Sequence, residues 1–163
     1  MSTQPNLYSA APWTNQHLTL FHGTDDVSAK RIASGPVFVG SGKANTDFGP
    51  GFYTTTLERQ ARMWAAQVCV TRSGTTPAVV ALSVNRDDLG KLESLVFVRG
   101  DFDAEDYWSL VQHCRTGARD HGRAGLRASY DAVFGPVAAF WSQRAIIADG
   151  DQISFHTIRA EPC

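Results

Sequence analysis

Between residues 35 and 51 the chain carries Gly35, Pro36, Gly40, Gly42, Asn45, Gly49, Pro50 and Gly51. Neither a helix nor a strand survives that density of breakers, so the stretch is a loop. It ends abruptly in Phe52-Tyr53-Thr54-Thr55, an aromatic and β-branched run that reads as a short strand. The last part, Asp47-Phe48-Gly49-Pro50-Gly51, therefore sets a fixed turn leading straight into an aromatic pair. Neighbouring strand residues point to opposite faces, so Phe52 and Tyr53 cannot share one. One of them leaves the main core unless both faces are covered. A tyrosine at a strand start beside a glycine turn can serve as a stacking platform for a flat ligand.

Around this feature the composition is that of a globular domain. The chain has 163 residues and a mass of 17.8 kDa, 43% apolar and 19% charged, with nine Phe and four Trp. That excludes disorder for the bulk of it and fits one domain. The net charge of −1 excludes a nonspecific nucleic-acid binder that works by neutralising phosphates, but not a nucleic-acid substrate held in a pocket. Cys69, Cys114 and Cys163 are sparse and far apart, which argues against a disulfide framework and a structural zinc. The first residues show neither a basic region nor an apolar one, and no apolar run reaches the length of a membrane helix. The expectation is a soluble, cytoplasmic protein without membrane partners.

Residues 1–16 are polar and contain two prolines at positions 5 and 12, and read as an N-terminal arm before a single domain over 17–163. His17 to His22 alternates like a strand, and Asp25-Asp26 caps a short helix reaching Ile32. Leu57 to Cys69 has helical spacing; 77–84 and 94–98 read as strands, and 104–115 as a helix with Tyr107, Trp108, Leu110, Val111 and Cys114 on one side. Gly117, Gly122 and Gly125 break that helix. Tyr130 to Pro136 resembles a central strand and Gln152 to Thr157 the last one, while 137–147 fits helix and strand equally. The sum is a mixed α+β domain.

Three local patterns could carry chemistry. His22-Gly23-Thr24 ends a strand, where the glycine admits a close approach of a ligand to the backbone. The glycine turn into Tyr53 is the second. Asp149-Gly150-Asp151-Gln152, ahead of the last strand, is the third, and on local grounds is a solvated turn. Taken together with Trp64, eleven residues after Tyr53, and with Asp151-Gln152-Ile153-Ser154-Phe155-His156, these patterns resemble the ADP-ribosyltransferase superfamily. The order is similar to its diphtheria-toxin and poly(ADP-ribose) polymerase branch, marked by a histidine, a tyrosine and a glutamate on three strands. The 130–137 run and the terminal strand look like small bacterial domains of this fold. The resemblance spans about residues 18 to 157.

The resemblance implies a split β-sheet core with flanking helices, and NAD as substrate with no metal. In that reading His22 holds the nicotinamide-side ribose, Gly23 offers its backbone to the carboxamide, and Thr24 belongs to the same NAD-binding segment. Tyr53 stacks on the nicotinamide, Trp64 closes the far side, and Gln152 stands where the signature glutamate would. The residue types suit the chemistry. A flat cationic leaving group is oriented by stacking and carboxamide hydrogen bonds, and a polar group at the ribose hydroxyl stabilises the oxocarbenium-like transition state. Gln152 is neutral and cannot supply a carboxylate's charge. Alternation along the strand makes neither Asp149 nor Asp151 an obvious substitute. Gly150, where arginine-modifying members carry an acid, points away from arginine as acceptor.

The resulting expectation is a mono-ADP-ribosyltransferase acting on a protein or nucleic-acid acceptor, a toxin paired with an antitoxin protein by analogy with similar small domains. Two alternatives stay open: an NAD glycohydrolase, and a non-catalytic NAD-binding module. Arg115, Arg119, Arg123 and Arg127 recur every four residues, but the intervening glycines turn that stripe into a basic loop, either solvated or in touch with NAD phosphates or a nucleic-acid acceptor. His113, His121 and His156 receive no role, and Cys114 reads as buried rather than reactive.

Overall fold

The computed structural model describes residues 15–98, 104–125 and 127–161. Most of the expected N-terminal arm lies outside these residues. Its last two, Asn15 and Gln16, accept hydrogen bonds from Arg86 through their carbonyls.

The described elements alternate strands and helices. Strand β1 (His17–Asp25) leads to α1 (Asp26–Ser34), then through the glycine loop to β2 (Phe52–Thr54) and α2 (Glu58–Val70). Strand β3 (Pro77–Asn85), a one-turn α3 (Arg86–Leu89) and β4 (Ser94–Val96) follow, then α4 (Glu105–Arg115), β5 (Ala132–Phe140) and β6 (Ala145–Phe155). The fold is mixed α+β. No helix among the described residues is long and apolar enough to cross a membrane.

Two sheets form. β1 pairs antiparallel with β3 over its whole length, and a second sheet has the order β2-β6-β5-β4, with only β4 and β5 parallel. Among the described residues the backbones of the two sheets are bridged at one place, where Phe21 and Thr55 exchange hydrogen bonds of 2.8 and 2.9 Å. Beyond that bridge the edges of β1 and β2 part. Backbone groups of alternate strand residues face alternate edges. Since Phe21 bonds toward β2, Gly23 directs its N–H and C=O the same way, into the gap.

Both faces of the larger sheet are covered, which answers where Phe52 and Tyr53 go. Leu20, Val39, Ala132, Ile153 and Phe155 form one buried cluster, with Phe52 packed against it. Phe48, Tyr107, Trp108, Val111 and Val133 form the other, with Tyr53 against it. Helix α4 supplies the second cluster from Tyr107, Trp108 and Val111, as its apolar stripe requires.

The structure settles the segment left open between 137 and 147. It is a hairpin, not a helix: β5 runs to Phe140, turns through residues 141–144, and returns as β6 from Ala145. Arg144 adopts the left-handed conformation (φ 52°) that closes the turn. The last strand is therefore seven residues longer at its start than its alternating end suggested, because Ala145 to Asp151 has no alternation to read and finds its partners only in the fold, Ala145 to Ile147 against β5 and Asp151 against Thr55, Thr56 and Gln60. Strands β1 and β3 agree with the periodicity to within a few residues.

Helix α2 packs directly on β1 at Gly23. A Cβ at that position would lie 2.0 Å from the Ala61 carbonyl oxygen and 3.0 Å from the Ala65 nitrogen. The residue is glycine because a helix backbone comes close. Gly23→Ala is expected to destabilise the fold by about 3 kcal/mol, the upper end of overpacking costs, because the obstacle is main chain and cannot swing aside. Urea unfolding of the variant checks this; a loss below about 0.5 kcal/mol would contradict the packing.

Candidate functional site

His22 sits on β1 one residue past the bridge to Thr55. Its Nδ1 lies 2.7 Å from the Tyr53 carbonyl oxygen, so the nitrogen carries the proton and donates. The ring stacks on Phe52 at 4.4 Å between centroids. Burial lowers its pKa, opposed by the bond to Tyr53. The neutral ring therefore presents Nε2 as an acceptor, the form in which imidazole receives a bond from a hydroxyl. Thr24, on the same face, is buried.

Tyr53 comes to His22 through its carbonyl, not its ring. Strand alternation turns the phenol to the opposite face, under the glycine loop. There its hydroxyl donates to the Gly49 carbonyl at 2.7 Å, accepts from the Phe48 N–H at 3.0 Å, and lies 2.9 Å from Thr46 Oγ1. Burial pushes its pKa well up, so it stays protonated. Trp64 stands on α2 between Ala61 and Ala65, the residues against Gly23, and is 62% exposed.

Gln152 does not reach the gap between β1 and β2. Its side chain is buried on the same face as Tyr53, and Nε2 donates to Asp47 Oδ2 at 2.7 Å and to the Pro136 carbonyl at 2.8 Å. The expectation that its amide holds a ribose hydroxyl needs correcting for a physical reason. Ile153 and Phe155 occupy the face of β6 that packs with Leu20, and alternation sends Gln152 to the other.

Asp151, one residue earlier, points the other way. Its carboxylate accepts from the Thr55 hydroxyl at 2.5 Å, from the Thr56 N–H at 2.9 Å and from the Thr56 hydroxyl. Gln60 on α2 exchanges two further bonds with its backbone, 2.7 and 3.1 Å. An acidic group thus stands beside Thr55, where the two sheets meet. The signal for it was the alternation of the last strand, read one residue out of phase.

Sequence reasoning also missed Asp47. This carboxylate is 3% exposed and accepts from Arg115 Nε at 2.8 Å, from the Ala138 N–H at 2.8 Å, and from Gln152. Arg115 ends α4 and belongs to no basic stripe. Arg123 pairs with Glu93 and lies 3.9 Å over the Tyr130 ring, and Arg127 is 3.7 Å from Asp131. Nothing in the local pattern marks Asp47, since an Asp before a glycine turn is ordinary.

Among the described residues no three His, Cys, Asp or Glu side chains gather as metal ligands. A cavity of about 710 Å³ opens at the far edge of the sheet, between β4 and α4, lined by Phe97, Tyr107, Trp108, His121 and Arg123. It is distinct from the gap at His22. Cys114 is buried, and burial raises its pKa to about 12, as for an unreactive thiol.

Gln152→Ala is expected to cost about 1.5–3 kcal/mol, since it removes a bond to a buried carboxylate. Gln152→Glu is expected to lose stability more at pH 8 than at pH 5. The neighbouring Asp47 opposes ionisation, so the new carboxyl's pKa rises on folding, at about 1.4 kcal/mol per unit once the pH exceeds its unfolded value. Denaturant melts of both variants at the two pH values measure this; a Gln152→Glu protein as stable as the parent at pH 8 would refute the buried pairing.

No curated protein and no solved structure matches this chain. A family model described as protein of unknown function, DUF3990, matches residues 18–148, and on that extent the chain belongs to this family.

Proposed function

We propose that this protein cleaves NAD at the gap between β1 and β2 and transfers ADP-ribose to a macromolecular acceptor. One observation carries the reading. A neutral histidine acceptor and an edge-facing glycine backbone lie just past the bridge between the two sheets, an exposed tryptophan stands on the helix packed against that glycine, and a carboxylate is bonded to the Thr55 hydroxyl at the bridge itself. The split itself supports a core of the ADP-ribosyltransferase type, which is the resemblance the motifs carry. That step is an analogy of fold and motif.

The roles follow from the chemistry. Gly23 would meet the carboxamide with its backbone, Thr24 lies within the same segment, and His22 Nε2 would accept from a ribose hydroxyl. Trp64 would stack against the nicotinamide, with Tyr53 fixing the strand rather than the ring. The glycosidic bond breaks with its electrons going to nicotinamide, which leaves neutral. The acceptor's nucleophile then bonds the anomeric carbon and gives up its proton. Charge develops on the sugar, and Asp151 would be the carboxylate that stabilises it. No step requires a metal. A toxin role held in check by an antitoxin partner extends this reading, and growth arrest on expression tests it.

A second reading has its own support. Gln152 is spent in the interior and Asp151 is bonded to two threonines, which suits a module that binds NAD without turning it over.

Nicotinamide release from NAD, with and without cell lysate as acceptor source, separates the readings. Transfer predicts release, with label retained on macromolecules. Release to water with free ADP-ribose identifies a glycohydrolase, and NAD binding without release identifies the module. His22→Ala and Asp151→Asn are each expected to lower kcat/KM on the order of 10²-fold. Neither release nor binding under any condition refutes the NAD reading.

A further inference from the structure

Two histidines that line no part of the gap hold the glycine loop in place. His121 Nδ1 accepts from the Tyr130 N–H at 2.9 Å, so its proton sits on Nε2, which donates to the Phe48 carbonyl at 3.0 Å. His156 Nδ1 donates to the Pro50 carbonyl at 2.8 Å, which leaves Nε2 to accept from the Ser154 hydroxyl at 2.7 Å. The rings meet edge to face, 4.5 Å between centroids. All four ring nitrogens are therefore used; His121, facing the Tyr130 N–H, can do so only as the neutral tautomer, whereas the Ser154 hydroxyl opposite His156, 3.4 Å from the Val133 carbonyl, is able to accept as well as donate. The fit is close: a Cβ at Gly51 would lie 2.7 Å from His156 Nδ1.

A second proton on His121 would set a donor against the Tyr130 N–H. On His156 it would place charge in a buried site beside another imidazole. Burial pushes both pKa values down, that of His156 to about 4, with His121 adding to the effect. Asp120 and Arg123 face His121 from its own segment and His113 faces it from α4, with Asp120 opposing the shift and Arg123 and His113 adding to it. From β2 the Tyr53 ring lies 6.2 Å from His156. Asp131, whose carbonyl accepts the His156 N–H, has its carboxylate on Thr157, and Asp47, next to Phe48, has its own on Arg115 and Gln152.

We propose that His121 and His156 are positioning residues for the site at the gap: as neutral rings they clamp the Phe48 and Pro50 carbonyls, and acid releases the loop that seats Tyr53. The inference rests on the functional reading only in counting Tyr53 as part of the site. The sign follows from linkage. Both rings bind a proton more weakly when clamped than at their ordinary value of 6.5, so the open form takes up more protons. The clamp is complete above 6.5 and is lost as the pH falls from there toward 4, by up to about tenfold per pH unit per histidine.

The test follows the imidazole signals and the Gly49 and Gly51 amides by NMR from pH 7.5 to 4, with nicotinamide release measured alongside. The glycine signals are expected to move with the same midpoint as the two rings, below 6.5. Rings that titrate at 6.5 like exposed histidines, or glycine signals that ignore the ring titration, overturn the proposal. His121→Gln with His156→Asn keeps a donor at each carbonyl and cannot take up the proton. This double variant is expected to keep its loop signals unchanged across the range and to lose the acid fall in release seen in the parent. A persisting acid transition in it overturns the clamp. Should it not fold, the parent titration alone decides. A parent that releases no nicotinamide at any pH, while its glycine signals follow the rings, refutes the NAD reading and upholds the clamp.

Discussion

A buried carboxylate is tolerated only when every lone pair is used, and Asp47 is held to that standard by three elements at once. Arg115 from the end of α4, the Ala138 N–H from β5 and the Gln152 amide from β6 all donate to it. An ionised group left unpaired at 3% exposure would cost several kcal/mol. These bonds therefore cannot be surrendered one at a time without penalty. Since Asp47 opens the glycine turn, the same bonds tie that turn to the two central strands of the larger sheet and to the helix that covers it.

The turn is then held again at each following residue. Tyr53 reaches back under it with its hydroxyl, and His121 and His156 take the carbonyls on either side of Gly49. Gly51 itself is crowded by Phe155 and by His156, and Gly42 would strike the Gly51 backbone at 2.2 Å if it carried a Cβ. The glycines of this stretch thus act less as sources of freedom than as places where other groups come close. A rigid entry into β2 follows, and with it a fixed position for the Tyr53 carbonyl that His22 needs.

The site was partly legible. His22, Gly23 and the turn into Tyr53 could be read from short motifs, because a strand end, a glycine and an aromatic pair are local facts. Trp64 entered through the resemblance, by its place eleven residues after Tyr53. The direction of the last strand's side chains was not legible. Alternation tells which residues share a face, but only packing against Leu20 decides which face is which, and that sends Gln152 inward to Asp47 and Asp151 to Thr55. The histidine pair was invisible for a related reason: His121 and His156 are far apart in sequence and meet only when the turn that carries His121 lies against the end of β6.

The sequence alone determined the strands with clear alternation, the long glycine loop, the apolar stripe of α4 and the mixed α+β class. Those depend on periodicity and on backbone freedom, which neighbouring residues carry by themselves. Tertiary structure decided the hairpin from 132 to 155, the single bridge at which the two sheets meet, and the fate of every buried polar side chain. A polar group in the interior must find a partner, and the partners of Asp47, Gln152, His121 and His156 lie on other elements. Only the folded arrangement, by bringing those elements together, could assign them.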